Sequence, residues 1–177
     1  MVFVNVGART FRTEKLARAK YHRKTPCLLN IDDERIFLIG GQNTKPGEDK
    51  WYRTVSQYSI GKNKWIEGLP KLNIPRVASS ACYCNGHIFV VGGVPSTGTV
   101  LNSIEKLNLE DLGKGKATWK LIEPICGFPG RAIPVCAAIN SEEIAILGGS
   151  AGPTEMIGDL WIFNVNTEKF TEDILKF

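Results

Sequence analysis

Asn85-Gly86-His87-Ile88-Phe89-Val90-Val91-Gly92-Gly93 reads as a hairpin turn, a buried strand and a glycine-marked stop. Asn-Gly suits a two-residue hairpin, because such turns need positive φ at both central positions. Ile88 to Val91 does not alternate apolar with polar, so protein is expected on both faces of that strand. The glycine pair then ends the strand where the backbone needs freedom or where something approaches it closely.

The pattern occurs three times. Glycine pairs stand at Gly40-Gly41, Gly92-Gly93 and Gly148-Gly149, each after an apolar run, and an arginine precedes each pair at Arg23, Arg76 and Arg131. Between arginine and glycines lies a second candidate strand: Cys27 to Ile31, Ser79 to Cys84, and Val135 to Ile139. Turn residues separate the two strands in each copy, so each arginine-to-glycine unit is a predicted hairpin. Downstream come a polar loop and a third strand at Val55 to Ile60, Ile104 to Leu109 and Leu160 to Val165. A bulky aromatic then follows at Trp65, Trp119 and Phe170, with a longer turn, Glu110 to Ala117, in the middle copy. Val4-Asn5-Val6 matches Phe163-Asn164-Val165, so residues 1–14 read as the last two strands of a unit without its first two.

An antiparallel unit of about 50 residues that is apolar on both faces is not stable alone and must stack on copies of itself. Radial stacking of such sheets makes a β-propeller. Leu69-Pro70 through Pro75-Arg76, followed by Asn85 to Gly93, resembles a kelch repeat. The other copies match it at the arginine, the double glycine and the distal aromatic. They depart from it at Phe170, where tryptophan is usual, and the middle copy departs at Leu107, where tyrosine is usual. The expected fold is all-β: kelch-type propeller blades of four antiparallel strands in an incomplete ring. One domain, 1–177, divides into a half blade at 1–22 and blades at 23–75, 76–130 and 131–177. The resemblance implies that Trp65, Trp119 and the glycine pairs Gly40, Gly41, Gly92, Gly93, Gly148 and Gly149 pack neighbouring blades together. Closed rings hold four to eight blades. Three and a half should therefore leave apolar faces at both ends of an arc, which predicts self-association, completion by another chain, or a longer parent propeller.

Composition excludes little. The apolar share is 43% and the charged share 23%, ordinary for a globular chain. No stretch is apolar enough to cross a membrane as a helix, no secretory signal is evident, and five cysteines without framework spacing suggest free thiols in the cytoplasm. The net charge is +4, concentrated in seven basic residues before Pro26. A basic, acid-poor start also suits a transit peptide or an anionic partner, but the register of the repeats favours a solvated strand edge and loop.

Catalytic chemistry finds few candidates. Cys82 and Cys84 share a strand face, and Cys27 and Cys136 sit on corresponding strands, which suits an apolar inner layer better than a metal. His22 and His87 lie in different copies. Copper-radical oxidases and sugar epimerases also use kelch propellers, yet the two histidines, two tyrosines and cysteine that the oxidases require are not grouped here. No phosphate-binding glycine loop occurs. No metal, no cofactor and no catalysis are expected.

Function is sought where the copies differ, in loops that a rigid scaffold presents. The loops between second and third strands (Gln42 to Thr54, Val94 to Val100, Ser150 to Gly158) open on one end of the blades. The linkers between blades (Leu16 to Thr25, Lys71 to Arg76, Glu123 to Arg131) open there too. Lys50, Tyr52, Arg53, Arg76, Ser96, Thr97, Arg131 and Thr154 are the candidate contacts for a protein partner, a peptide or loop of acidic character. Two competing expectations accompany that set. A residue recurring once per blade, such as Arg23, Arg76 or Arg131, is suited to holding the structure together, and Trp51 and Tyr52 are placed to start a strand and pack inward. Family resemblance implies a scaffold or a substrate-recognition adaptor. Nucleic acid and membrane are not expected partners. The alternatives are a structural subunit completing a ring, or a propeller enzyme of the epimerase or oxidase type.

Overall fold

The computed structural model describes residues 2–5, 10–13, 15–43, 45, 50–123, 127–171 and 175–176. Its strands run β1 (Val2–Asn5), β2 (Thr10–Thr13), β3 (Cys27–Asn30), β4 (Arg35–Ile39), β5 (Gln42–Asn43) and β6 (Lys50–Trp51). They continue with β7 (Val55–Ser59), β8 (Lys64–Ile66), β9 (Ser80–Cys84), β10 (His87–Val91) and β11 (Ile104–Asn108). After the short helix α1 (Leu109–Gly113) come β12 (Lys120–Ile122), β13 (Val135–Ala138), β14 (Glu143–Leu147), β15 (Asp159–Asn164), β16 (Lys169–Phe170) and β17 (Leu175–Lys176).

Asn85 and Gly86 adopt φ of 47° and 74°, the left-handed pair a tight hairpin needs, and the register sets His87 against Cys84. Three antiparallel sheets follow the predicted order: β3-β4-β7-β8 (blade 1), β9-β10-β11-β12 (blade 2) and β13-β14-β15-β16 (blade 3), where β17 extends the outer edge beside β15. The β1–β2 hairpin and the small β5–β6 ribbon are separate sheets.

Two apolar layers separate the three blades. Ile88 and Val90 point into one layer with Phe37, Ile39 and Val55 of blade 1. Phe89 and Val91 point into the other with Ile144, Ile146 and Phe163 of blade 3. These four residues of β10 are fully buried, as the unbroken apolar run predicts. At about 1.5–3 kcal/mol for each large side chain removed from water, these layers are the main stabilising contribution. Among the described residues, the two buried clusters cover one face of each outer blade. Strand β3 alternates, with Cys27 and Leu29 buried and Leu28 65% exposed, while Val135 and Leu147 of blade 3 are 63% and 44% exposed.

The middle blade's longer turn is partly helical. Asn108 caps α1, its Oδ1 accepting from the N–H groups of Glu110 (2.8 Å) and Asp111 (3.3 Å), and Leu109, Leu112 and Ala117 pack onto the blade 1–2 layer.

Candidate functional site

The leading arginine of each blade drives its guanidinium into that blade's own glycine corner. Arg23 Nη1 donates to Gly40 O at 2.6 Å, Arg76 Nη1 to Gly92 O at 2.8 Å, and Arg131 Nη1 to Gly148 O at 3.0 Å. Each finds further partners on the third strand. Arg23 reaches Thr54 O and Ser56 Oγ, Arg76 reaches Ser103 O, Ser103 Oγ and Glu105, and Arg131 reaches both oxygens of Asp159.

The same arginines join consecutive blades through their main chains. Gly41 N–H donates to Arg76 O and Gly93 N–H donates to Arg131 O, both at 2.8 Å. A side chain on Gly40 or Gly92 would collide with that carbonyl, which accounts for the first glycine of each of these two pairs; both have φ of 63°. Two residues after each arginine, Thr25, Ala78 and Ile133 take positive φ of 45°, 55° and 47°. These form a second ladder, Ala78 N–H to Thr25 O at 3.1 Å and Ile133 N–H to Ala78 O at 2.6 Å. Each seam between blades thus carries two main-chain bonds of fixed pattern.

Glu105 is the centre of the first seam. It is fully buried and accepts four bonds: from Asn73 N–H (2.6 Å) and Asn73 Nδ2 (2.9 Å), Ile74 N–H (3.1 Å) and Arg76 Nε (3.0 Å). Burial pushes the Arg76 pKa down, and the Glu105 carboxylate opposes that fall. A buried pair of this kind is tolerated because its remaining lone pairs and protons are satisfied.

The distal aromatics tie each blade to the linker before it. Trp65 Nε1 donates to Ala17 O at 2.9 Å and Trp119 Nε1 to Pro70 O at 3.0 Å. Phe170 has no donor and instead stacks on Phe128 of its own linker, with centroids 4.4 Å apart at 26°.

The candidate partner contacts divide. Lys50, Arg53, Ser96, Thr97 and Thr154 are exposed on the loop end. Arg76 and Arg131 are buried completely, with their guanidinium groups committed to the glycine corners, so partner contact through them is withdrawn. Tyr52 is withdrawn as well: its N–H bonds Gly41 O, and its ring is buried between Tyr21 (5.4 Å) and the Arg23 guanidinium (5.1 Å). The inward alternative for this residue is the one observed. Arg53 Nε donates to Leu72 O at 2.6 Å, which holds its head beside the linker that carries Lys71. In the loop Gln42 to Thr54, positions 44 and 46–49 lie outside the described residues.

Sequence reasoning missed Glu105, Asp159 and the left-handed ladder. The signal for Glu105 was a carboxylate between Ser103-Ile104 and Lys106-Leu107, next to the apolar positions of the third strand. It missed one further link: Glu168, in the last turn of blade 3, pairs with Lys106 (3.4 Å) and Lys120 (2.5 Å) of blade 2. Burial raises the Glu168 pKa, but hydrogen bonds from the two lysines outweigh it, and the net shift is downward.

The thiols lie in the inner layer. Cys82, Cys84 and Cys136 share one apolar cluster and Cys27 sits in the other; Cys126 lies outside the described residues. Burial pushes the Cys27 thiol up to about 12, which keeps it protonated and unreactive at neutral pH. Among the described residues, no three of His, Cys, Asp and Glu are grouped to hold a metal. His22 is exposed, and His87 Nδ1 contacts Asn85 O at 2.6 Å. Two open clefts of about 540 and 400 Å³ flank α1, one against Pro70, Lys71 and Trp119, the other against Arg35, Tyr83 and His87. No helix of the described residues is long and apolar enough to cross a membrane.

Stacked four-stranded blades bolted together at glycine corners define a β-propeller scaffold. The comparisons agree with that class: the sequence model of the kelch motif matches residues 75–124. The chain is also similar to the solved structure of YjhT, a kelch-type propeller, with a TM-score of 0.76 over 93% of this chain at 14% identity. It spans 55% of that chain's length. The fold is therefore that of kelch-type propeller blades.

Proposed function

We propose that this chain is a non-catalytic protein-interaction module, a kelch-type scaffold or substrate-recognition adaptor in the cytoplasm. It holds a peptide or loop of acidic character on the end bearing the variable loops. One observation carries the reading. With Arg76 and Arg131 consumed by the scaffold, the cations left exposed among the described residues of the blade 1 loop and its flanking linkers are Arg18, Lys20, Lys24, Lys45, Lys50, Arg53 and Lys71. Arg53 is preorganised by its bond to Leu72 O, and an anchored guanidinium suits bidentate capture of a carboxylate. The four cysteines among the described residues, all free thiols, support the reducing compartment.

The test is selection from a displayed peptide library, then anisotropy titration of the enriched peptides against wild type and a Lys50→Glu/Arg53→Glu variant. Acidic sequences should dominate, bind more weakly as salt rises, and lose at least about tenfold in affinity to the variant, the size of a lost charged contact. Enrichment of neutral or basic peptides, or affinity unchanged in the variant, removes the reading.

A further inference from the structure

We propose that the outer face of blade 3 is a docking site for a second copy of this chain. The second copy seats the front of its blade 1, Arg23 to Thr25, against Gly148, Gly149 and Ile133 in a head-to-tail seam. Arg23 to Thr25 belong to a linker at the loop end, beside the exposed Lys20 and Lys24, but the seam is carried by backbone groups and apolar side chains and does not rest on the partner reading above.

The two internal seams supply the chemistry. In each, the earlier blade offers the N–H of its second glycine and the C=O of its left-handed residue. The later blade offers the C=O of its arginine and the N–H of its own left-handed residue. At the back of blade 3 the corresponding groups, Gly149 N–H and Ile133 C=O, have no partner among the described residues. At the front of blade 1, Arg23 C=O and Thr25 N–H likewise have none. The two ends are therefore complementary, donor to acceptor at both bonds.

Space and surface agree. The position that an arginine carbonyl fills beside Gly40 and Gly92 is open at Gly148, where an added Cβ meets only Ile157 O of its own blade, at 3.2 Å. Strand pairing puts Val135, Leu147 and Leu160 in one row of that face and Ala137, Ala145 and Ile162 in the next. Val135 is 63% exposed and Leu147 44%, and Leu28 on the front of blade 1 is 65% exposed. Apolar faces of this kind are what the internal layers cover with a neighbouring blade. The β1–β2 hairpin is a separate sheet, so the new seam breaks no sheet hydrogen bond. Heterologous contacts end in a ring when the rotation closes.

Sedimentation velocity over a range of concentrations tests this, with circular dichroism to confirm folding of every variant. Wild type should pass from the 19.5 kDa monomer to a dimer. Gly148→Ala, which places a methyl group where the carbonyl must lie, and Leu147→Lys on the same face should each weaken the dimer at least tenfold while keeping the wild-type spectrum. Leu28→Lys should do the same from the other end. Mixing Leu147→Lys with Leu28→Lys should restore a heterodimer, since each retains the end the other lacks. A wild type that stays monomeric at every concentration, a dimer indifferent to Gly148→Ala and Leu147→Lys, or full dimerisation of Leu28→Lys alone each overturns the proposal.

Discussion

Blades 2 and 3 are built from nearly the same instructions and reach different ends. Strand β10 of blade 2 has Ile88, Phe89, Val90 and Val91 completely buried, whereas in β14 of blade 3 only Ile144 and Ile146 are, and Leu147 is 44% exposed. Both strands are apolar runs ending in a glycine pair at positive φ. What differs is the neighbour: Gly93 N–H meets an arginine carbonyl and Gly149 N–H does not. Full burial of a propeller strand is thus a property of the seam and not of the strand.

The largest effect should come from breaking the seam that blade 2 has. Arg76→Ala leaves Glu105 buried without its guanidinium and should cost about 3–5 kcal/mol in urea denaturation. A loss below about 1 kcal/mol would mean that the pair is not held as described. Next comes the contrast between glycines. Gly92→Ala meets both a left-handed backbone and the Arg131 carbonyl, while Gly148→Ala in the monomer meets chiefly the backbone preference, worth about 1–2 kcal/mol. The first should therefore unfold at clearly lower denaturant than the second, and equal midpoints would erase the contrast between the blades.

Smaller effects sharpen it. Trp119→Phe keeps a ring in the layer but loses the bond to Pro70 O, at about 1 kcal/mol. Blade 3 already carries Phe170 at this place, compensated by Phe128, so Phe170→Leu should also destabilise, through lost stacking. The least is Glu168→Gln, at or below about 1 kcal/mol because the pair is partly solvated. The folded pKa of Glu168 is depressed, so its contribution is present in full above the ordinary carboxylate value and is lost as pH falls through the folded value. Thermal melts of wild type and Glu168→Gln should differ at pH 7 and converge in the acid range, and a constant gap would detach the effect from this carboxylate.

Much of this fold was legible from residue order. Asn85-Gly86, the glycine pairs and the distal aromatics fixed four strands per blade, because turns and periodicity are local signals. The fates of Arg76, Arg131 and Tyr52 were less local. Arg76 is buried because Gly92 O, Ser103 and Glu105, 16 to 29 residues away, converge on it. Its recurrence in every blade pointed to the scaffold, while its charge pointed to a partner, and only the third strand decided between them. Tyr52 turned inward because its N–H is held by Gly41 O, a bond that exists only once the glycine corner has formed. The left-handed positions went unread because Thr25 and Ile133 are β-branched, residues that rarely take positive φ. They take it here to reach a carbonyl of the blade before or to offer one to the blade after.

Residue-resolved amide exchange by NMR on the Leu147→Lys variant, the copy expected to stay monomeric, examines the seams most directly. Gly41 and Gly93 N–H should be strongly protected and Gly149 N–H should exchange as a free amide. Equal protection of all three glycines, or fast exchange at Gly93, would contradict blades joined through arginine carbonyls.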